Sequence, residues 1–314
     1  MTTLPFGSLG WTPARLHSLT TKTFLISGAN SGTGFEASKI LLSKGAKVIM
    51  LNRNPHKSAE AIASLKAELG SHIDVDVVHL DLGDLESVRL AAQMIKSQVT
   101  QIDGLLCNGA IAQVASLQKT KDGFESQLGV NHVGHFLLCG LLFDLIAKAQ
   151  GRIVVVGSNA YKMGLKTIQF DDLNFEKNYT AWNAYAQSKL AQMMFAYELQ
   201  RRLSAKNSPV QVHVCHPGAS KTNLLKDTAS GFNKALWAVL SRFIAQSAHR
   251  GAWPEVMCAT DKPLAPYTLY GPTKRADTVG PVGECKLDPL VLDHSTATRL
   301  WQVSELETGF KWSL

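Results

Sequence analysis

The sequence predicts a single doubly wound α/β domain: a parallel sheet of about seven strands with helices on both faces. Three observations carry this. Short β-like runs alternate with helix-like segments from Lys22 onward, and repeated βαβ units place their crossover helices on both sides of a parallel sheet. The run Ile153-Val154-Val155-Val156 is apolar without alternation, as expected of a strand covered on both faces. Finally, the apolar stretch Thr23 to Ile26 feeds a glycine-rich turn and then a helix-like segment, Phe35 to Lys44. Strand, glycine turn and helix start together make an anion site, because free amides and the helix dipole point at one spot.

The elements follow in order. A second strand is Lys47 to Leu51 and a helix spans Pro55 to Leu69, with Ala59, Ile62, Ala63 and Lys66 on one face and Gly70 as its cap. Val75 to Leu80 is a third strand, Leu85 to Val99 a helix, and Ile102 to Leu106 a fourth strand. A long helix lies within Phe124 to Ala149, ahead of the fifth strand, Arg152 to Val156. Trp182 to Ser204 is helical, Val210 to Val214 is a sixth strand, Tyr267 to Tyr270 a seventh, and Ser295 to Thr308 a last helix stopped by Gly309. Residues 1–21 read as an irregular leader on the surface of the 22–314 domain. Ligands of such sheets bind beyond the carboxyl ends of the strands, so the segments after strands four, five and six are expected to line the site.

Composition narrows the classes. The 314 residues are 45% hydrophobic and 18% charged, an ordinary globular balance with a sizeable core. The net charge of +7 is spread thinly, with only short clusters such as Arg201-Arg202 and Lys274-Arg275. It forms no basic stripe interleaved with aromatics, so no nucleic-acid partner is expected. Five scattered cysteines without a C-x-x-C fit a reducing compartment. The longest apolar run, Phe136 to Ala147, contains Asp144 and falls short of the roughly 20 residues that span a bilayer. The expectation is a soluble, cytoplasmic protein without a transmembrane segment. His132, His135, His213 and His216 are not spaced as a ligand set on one element, so they read as structural and no metal is expected.

The glycine turn reads Gly28-Ala29-Asn30-Ser31-Gly32-Thr33-Gly34. No Lys follows Gly34, which separates it from the nucleotide-hydrolysing P-loop. Where strand two ends, an adenosine ribose would meet an acid; here Asn52 holds that place and Arg53 follows. An Arg clamps a 2′-phosphate that an Asp would repel, so NADP(H) is expected over NAD(H). Asp81 and Leu82, after strand three, either flank the adenine or form a simple helix-entry turn. Asn108, Gly109 and Ala110 end strand four with small residues where a cofactor must pass the backbone.

Tyr185 and Lys189 stand four apart on a predicted helix and share a face. A phenol of pKa near ~10 is a poor acid–base group at neutral pH, and a neighbouring ammonium lowers that value toward the working range. Ser158, at the end of strand five, is placed to hydrogen-bond the same substrate oxygen. Asn131, mid-helix, is placed to bend its helix and hold a water linked to Lys189.

Together, Gly28-x-x-x-Gly32-x-Gly34, Asn108, Asn131, Ser158, Tyr185-x-x-x-Lys189 and His216-Pro217-Gly218 resemble the short-chain dehydrogenase/reductase family over residues 22 to about 225. The resemblance implies a Rossmann-type domain. It implies that Tyr185 protonates a carbonyl or deprotonates an alcohol, that Lys189 lowers the Tyr185 pKa and binds the nicotinamide ribose, and that Ser158 polarises the substrate while Asn131 completes a proton relay. It also implies that the backbone after Pro217 and Gly218 meets the nicotinamide carboxamide and that Thr222 caps it.

The chain departs from the family in places. Ser27 replaces the usual Thr before the first glycine, Cys107-Asn108-Gly109-Ala110 replaces Asn-Asn-Ala-Gly, and the Ser158–Tyr185 gap is longer than usual. The insert, with Phe170-Asp171-Asp172-Leu173-Asn174, and the later Leu300 to Glu305 are similar to the subgroup holding retinol dehydrogenases, WW-domain oxidoreductases and light-dependent protochlorophyllide reductases. Cys107-Asn108-x-Ala110 resembles the last of these, but Ala219 stands where those enzymes carry a Cys. In the family a segment near 223–250 covers the substrate, and here Phe232, Leu236, Trp237, Leu240, Phe243 and Ile244 fall on one stripe. The stripe fits a lid over a bulky apolar carbonyl or alcohol substrate, a face packed on the core, or a homodimer face. Three functions are carried forward: an NADP(H)-dependent carbonyl reductase or alcohol dehydrogenase, a photochemical reductase, and a silent NADP(H)-binding protein.

Overall fold

Most strands of the central sheet are short runs rich in β-branched and aliphatic residues, and the loops between them supply helix caps. A computed structural model describes residues 6–219, 246–262 and 264–314. Eight strands occur in it: β1 (Thr23–Ser27), β2 (Lys47–Asn52), β3 (Val75–His79), β4 (Gly104–Cys107), β5 (Arg152–Val156), β6 (Gln211–Cys215), β7 (Leu269–Lys274) and β8 (Val279–Cys285). Their order is β3-β2-β1-β4-β5-β6-β7-β8. All pairs are parallel except β7 with β8, an antiparallel hairpin with an irregularity between Pro272 and Lys274. The eighth strand is an addition to the expected seven. Gly280, Pro281 and Gly283 disguise it, since such residues are poor strand formers.

The principal helices are α1 (Gly32–Leu42), α2 (Pro55–Leu69) and α3 (Leu85–Gln98). They are followed by α4 (Ser126–Lys148), α5 (Ala181–Ala205), α6 (Ala248–Thr260) and α7 (His294–Thr308). Capping explains several starts: Asn54, Asp84 and Thr180 each accept from amides of the first turn of their helix. One core layer lies between the sheet and α3, α4, α5 and α7; the other lies between the sheet and α1, α2 and α6. Helix α4 is long and apolar enough to cross a bilayer by length and composition, and two thirds of its apolar window is buried inside the fold. Over Gly129–Val133 it widens into a π-turn.

Helix α7 packs on α5 and against α4: Trp301 stacks on Phe195 of α5 (5.9 Å between ring centroids) and meets Phe136 of α4 edge-on (5.2 Å). The segment before β1 is irregular apart from one 3-10 turn at Pro13–Arg15, and it is anchored: Trp11 is fully buried and its amide donates to Val282 O (2.9 Å).

Candidate active site

The glycine turn leaves β1 and enters α1 three residues earlier than the apolar pattern predicts, at Gly32 rather than Phe35. Gly28 and Gly32 have φ of +67° and +61°, a region that side-chain-bearing residues rarely adopt. Ser31, before the first turn, is extended and makes no side-chain cap, so the leading amides of α1 are left as anion donors. Asn30 is half-buried beside it.

The turn is held from behind by long-range hydrogen bonds. Ser27 Oγ accepts from the amides of Asn108 (3.0 Å) and Gly109 (2.9 Å) and meets His135 Nε2 at 2.8 Å. His135 Nδ1 lies 3.0 Å from Asn131 O. Burial lowers His135 to about 4, so the ring is neutral. The carbonyl can only accept, so Nδ1 carries the proton and Nε2 accepts from Ser27. Asn108 Nδ2 donates to Ser27 O (2.8 Å) and Gly28 O (3.2 Å), while its Oδ1 accepts from Thr33 Oγ1 (2.9 Å).

Asn52 is nearly fully buried and accepts from the Ala29 amide (2.7 Å). It braces the glycine turn rather than facing outward as an acid reading a ribose would. Arg53, next to it, is 70% exposed and lies 3.8 Å from Asp81 Oδ2. Asp81 also accepts from the Gly83 amide (2.9 Å), and Leu82 lies against the space beside Gly109. Arg53, Asp81 and Leu82 thus stand together at one end of the sheet's carboxyl edge.

At the other end, β5 runs into Ser158, and α5 brings Tyr185 and Lys189 to it. Burial pushes the Tyr185 phenol up, and the neighbouring Ser158 side chain pulls it down. Tyr185 packs with Ala112 and Ala160. Lys189 is buried and donates to Val156 O (2.9 Å) and Gln192 Oε1 (3.0 Å). Burial lowers its ammonium to about 8. The Lys189 ammonium faces the carbonyl that ends β5, and the Ser158 side chain is the group that draws the Tyr185 phenol down.

Asn131 sits within the π-turn, fully buried. Its side chain exchanges two hydrogen bonds with the Ile111 backbone (both 2.9 Å) and donates to Ser188 Oγ (2.9 Å). It ties the loop after β4 to α5.

After β6, the Gly218 amide donates to His216 Nδ1 (3.2 Å) and Pro217 O accepts from Gln246 Nε2 (2.7 Å). Thr222 and the stripe from Phe232 to Ile244 lie outside the described residues. The insert before α5 is bound to it, since Gln187 accepts from the Gln169 amide (2.8 Å) and donates to Leu173 O (3.1 Å). Met163 and Trp182 form an exposed apolar rim near Tyr185, with Trp182 Nε1 donating to Met163 O (3.3 Å).

The brace residues Gln192 and Gln246 are additions to the sequence reading, in which Asn52 stood in the place of an acid and His135 was read as structural.

This fold and site define a class, and comparison agrees with it. A family model described as short chain dehydrogenase matches residues 22–170, and the chain belongs to the short-chain dehydrogenase/reductase family of oxidoreductases. It is 37% identical over 317 residues to retinol dehydrogenase 14 of Homo sapiens, covering 96% of this chain and 89% of that protein. It is 35% identical to human retinol dehydrogenase 12, covering 93% and 87%. Among solved structures, an uncharacterized protein from Mycobacterium paratuberculosis superposes with a TM-score of 0.80 at 36% identity, covering 97% of this chain and 100% of that one. The Pseudomonas aeruginosa RhlG/NADP complex superposes at 0.61 with 22% identity over 78% and 91%, a likeness of fold alone.

Proposed function

We propose that this chain is an NADP(H)-dependent oxidoreductase that moves a hydride between nicotinamide and the carbonyl or alcohol carbon of a bulky apolar substrate. One observation carries the reading: an uncapped helix start behind a glycine turn shares the carboxyl edge of the sheet with Ser158, Tyr185 and Lys189. Similarity along nearly the whole chain to proteins named retinol dehydrogenases supports an alcohol or aldehyde on a long apolar body.

The residues fit a dinucleotide. A Cβ on Gly34 would lie 2.6 Å from Gly28 O, and one on Gly28 would lie 2.8 Å from Gly109 Cα, so only glycine lets the turn fold this tightly, with the uncapped amides of α1 beside it. Gly28, Asn30, Ser31, Gly32, Thr33 and Gly34 would hold the diphosphate. Arg53, Asp81 and Leu82 would hold the adenosine end. Asn108, Gly109, Ala110, Tyr185, Lys189, Pro217, Gly218 and Thr222 would hold the nicotinamide half. When bound, the cofactor supplies or accepts the hydride.

The protein supplies the rest. In reduction Tyr185 Oη donates its proton to the carbonyl oxygen; in oxidation it takes the proton of the alcohol. Ser158 donates to the same oxygen. Burial keeps the free phenol protonated, the form that reduction requires. Lys189 carries the charge that favours the phenolate when proton transfer demands it. The rim of Met163 and Trp182 offers apolar surface to the body of the substrate.

The direct test is NADPH oxidation, followed by absorbance, with retinaldehyde, other long apolar aldehydes and small ketones. Turnover of the large apolar compounds above the small ones is expected. A chain that binds NADPH yet reduces none of them overturns the proposal.

Arg53 sets the coenzyme in this reading. Arg53→Ala is expected to weaken NADPH binding about 10- to 100-fold, the worth of a charge-assisted phosphate contact, and to leave NADH binding nearly unchanged. Equal losses for both coenzymes would remove Arg53 from phosphate recognition.

A further inference from the structure

Glu255 has no part in the reaction described so far. It lies on α6, is fully buried, and among the described residues neither of its carboxyl oxygens has a hydrogen-bond partner. A buried carboxylate without partners is costly enough that the group neutralises instead. Helix α6 packs on α1, and Thr33 in the glycine turn at the start of α1 is within interaction range of the Glu255 carboxyl. Thr33 has one hydroxyl proton, which goes to Asn108 Oδ1 at 2.9 Å. Thr33 therefore offers Glu255 only lone pairs, and two lone-pair oxygens facing each other need a proton between them. The carboxyl group is the one that can bring it.

We propose that Glu255 is a positioning residue of the cofactor site, which as a neutral acid donates to Thr33 Oγ1, steadies the glycine turn through Thr33 and Asn108, and on ionising weakens binding of the anionic dinucleotide. The inference rests on the dinucleotide reading above. The chain of donors it completes is continuous: Glu255 to Thr33, Thr33 to Asn108 Oδ1, and Asn108 Nδ2 to Ser27 O and Gly28 O (2.8 and 3.2 Å).

Burial pushes the Glu255 carboxyl up to about 8. Below that pH the acid is neutral. Above it a negative charge stands behind the turn that is to receive the diphosphate, and like charges in a low-dielectric site repel. By linkage, cofactor affinity falls as pH rises through that value, and binding takes up a proton.

Other charged and titratable groups stand on the described elements that pack against α6. Lys189 of α5 favours its ionised form, and Cys215 of β6 is held protonated by burial. On α1, Glu36 is ion-paired with Lys39 (3.3 Å) and His249 (3.0 Å), and Lys39 also with Glu68 (3.1 Å). On β5, Arg152 donates to Cys258 O (2.9 Å), and on β7 the Tyr270 hydroxyl pairs with Ala265. Lys189 titrates in the same range, so the comparison must be between variants that keep it.

The test is the NADPH dissociation constant of the full-length protein, measured by NADPH fluorescence from about pH 6.5 to about pH 9.5. Wild type is expected to lose about tenfold more affinity across that range than Glu255→Gln, which cannot ionise. Glu255→Met is expected to show the same flattened profile as Glu255→Gln. Parallel profiles for wild type and Glu255→Gln overturn the inference and leave the dinucleotide reading standing. Failure of wild type to bind NADPH at any pH overturns both.

Where the variants do not fold, the wild type suffices. At neutral pH its infrared spectrum is expected to show a protonated-carboxyl carbonyl band that shifts when NADPH is added. Absence of the band overturns the inference.

Discussion

Tyr185→Phe is expected to lower kcat for carbonyl reduction by about a thousandfold, within the 10²–10⁴ that a positioned general acid contributes, while leaving the NADPH dissociation constant within about twofold. The substitution is clean. The ring packs with Ala112 and Ala160, and Phe retains that contact. Only the hydroxyl is lost, together with its interaction with Ser158. Ser158 keeps a second partner, accepting from the Ala160 amide at 3.2 Å, so the strand end is not disturbed. Single-turnover kinetics with a retinaldehyde-like substrate and a fluorescence titration with NADPH separate the two effects. Activity within about tenfold of wild type would mean that the proton comes from another group.

Gly34→Val is expected to abolish cofactor binding at attainable concentrations and to lower the melting temperature. The backbone at Gly34 is not in the left-handed region, so the cost is purely steric. A Cβ there would stand 2.5 Å from Asn108 Nδ2 and 2.6 Å from Gly28 O. Asn108 would have to leave Ser27 O and Gly28 O, at about 1 kcal/mol for each hydrogen bond lost, with about 1–3 kcal/mol more for the overpacking. The same movement would pull Asn108 from Thr33 and loosen the turn. A thermal melt and an NADPH titration read both consequences. Wild-type values in both would show that the turn repacks freely and is not the cradle described here.

Much of this architecture is legible in the order of residues. The continuous apolar run of β5, the Pro and Gly bracketing α2, and the pairing of Tyr185 with Lys189 one helical turn apart are local signals, and they sit where local physics puts them. The start of α1 is displaced toward the glycines because the apolar pattern begins only at Phe35, whereas the helical backbone is already set at Gly32. Strand β8 is illegible for a different reason: its backbone is recruited by pairing with β7 and by Trp11, not by the propensity of its own residues. The braces behind the site are of the same kind. Asn52 reaching Ala29, Ser27 reaching His135, and Glu255 beside Thr33 join residues far apart in sequence. No periodicity or motif encodes such meetings.

Trp11 lends β8 one more property. An edge strand offers unpaired amides and carbonyls that a second chain can extend, and proteins cover such edges to avoid association. Here the cover is the antiparallel bridge from Trp11 to Val282, reinforced where Gly10 lies so close that a Cβ would come within 2.6 Å of Val282 N and O. The cover precedes β1 in the chain, yet it closes on the strand that joins the sheet last in sequence order. The cover can close only once β8 has formed, and until it closes that edge is open to edge-to-edge association.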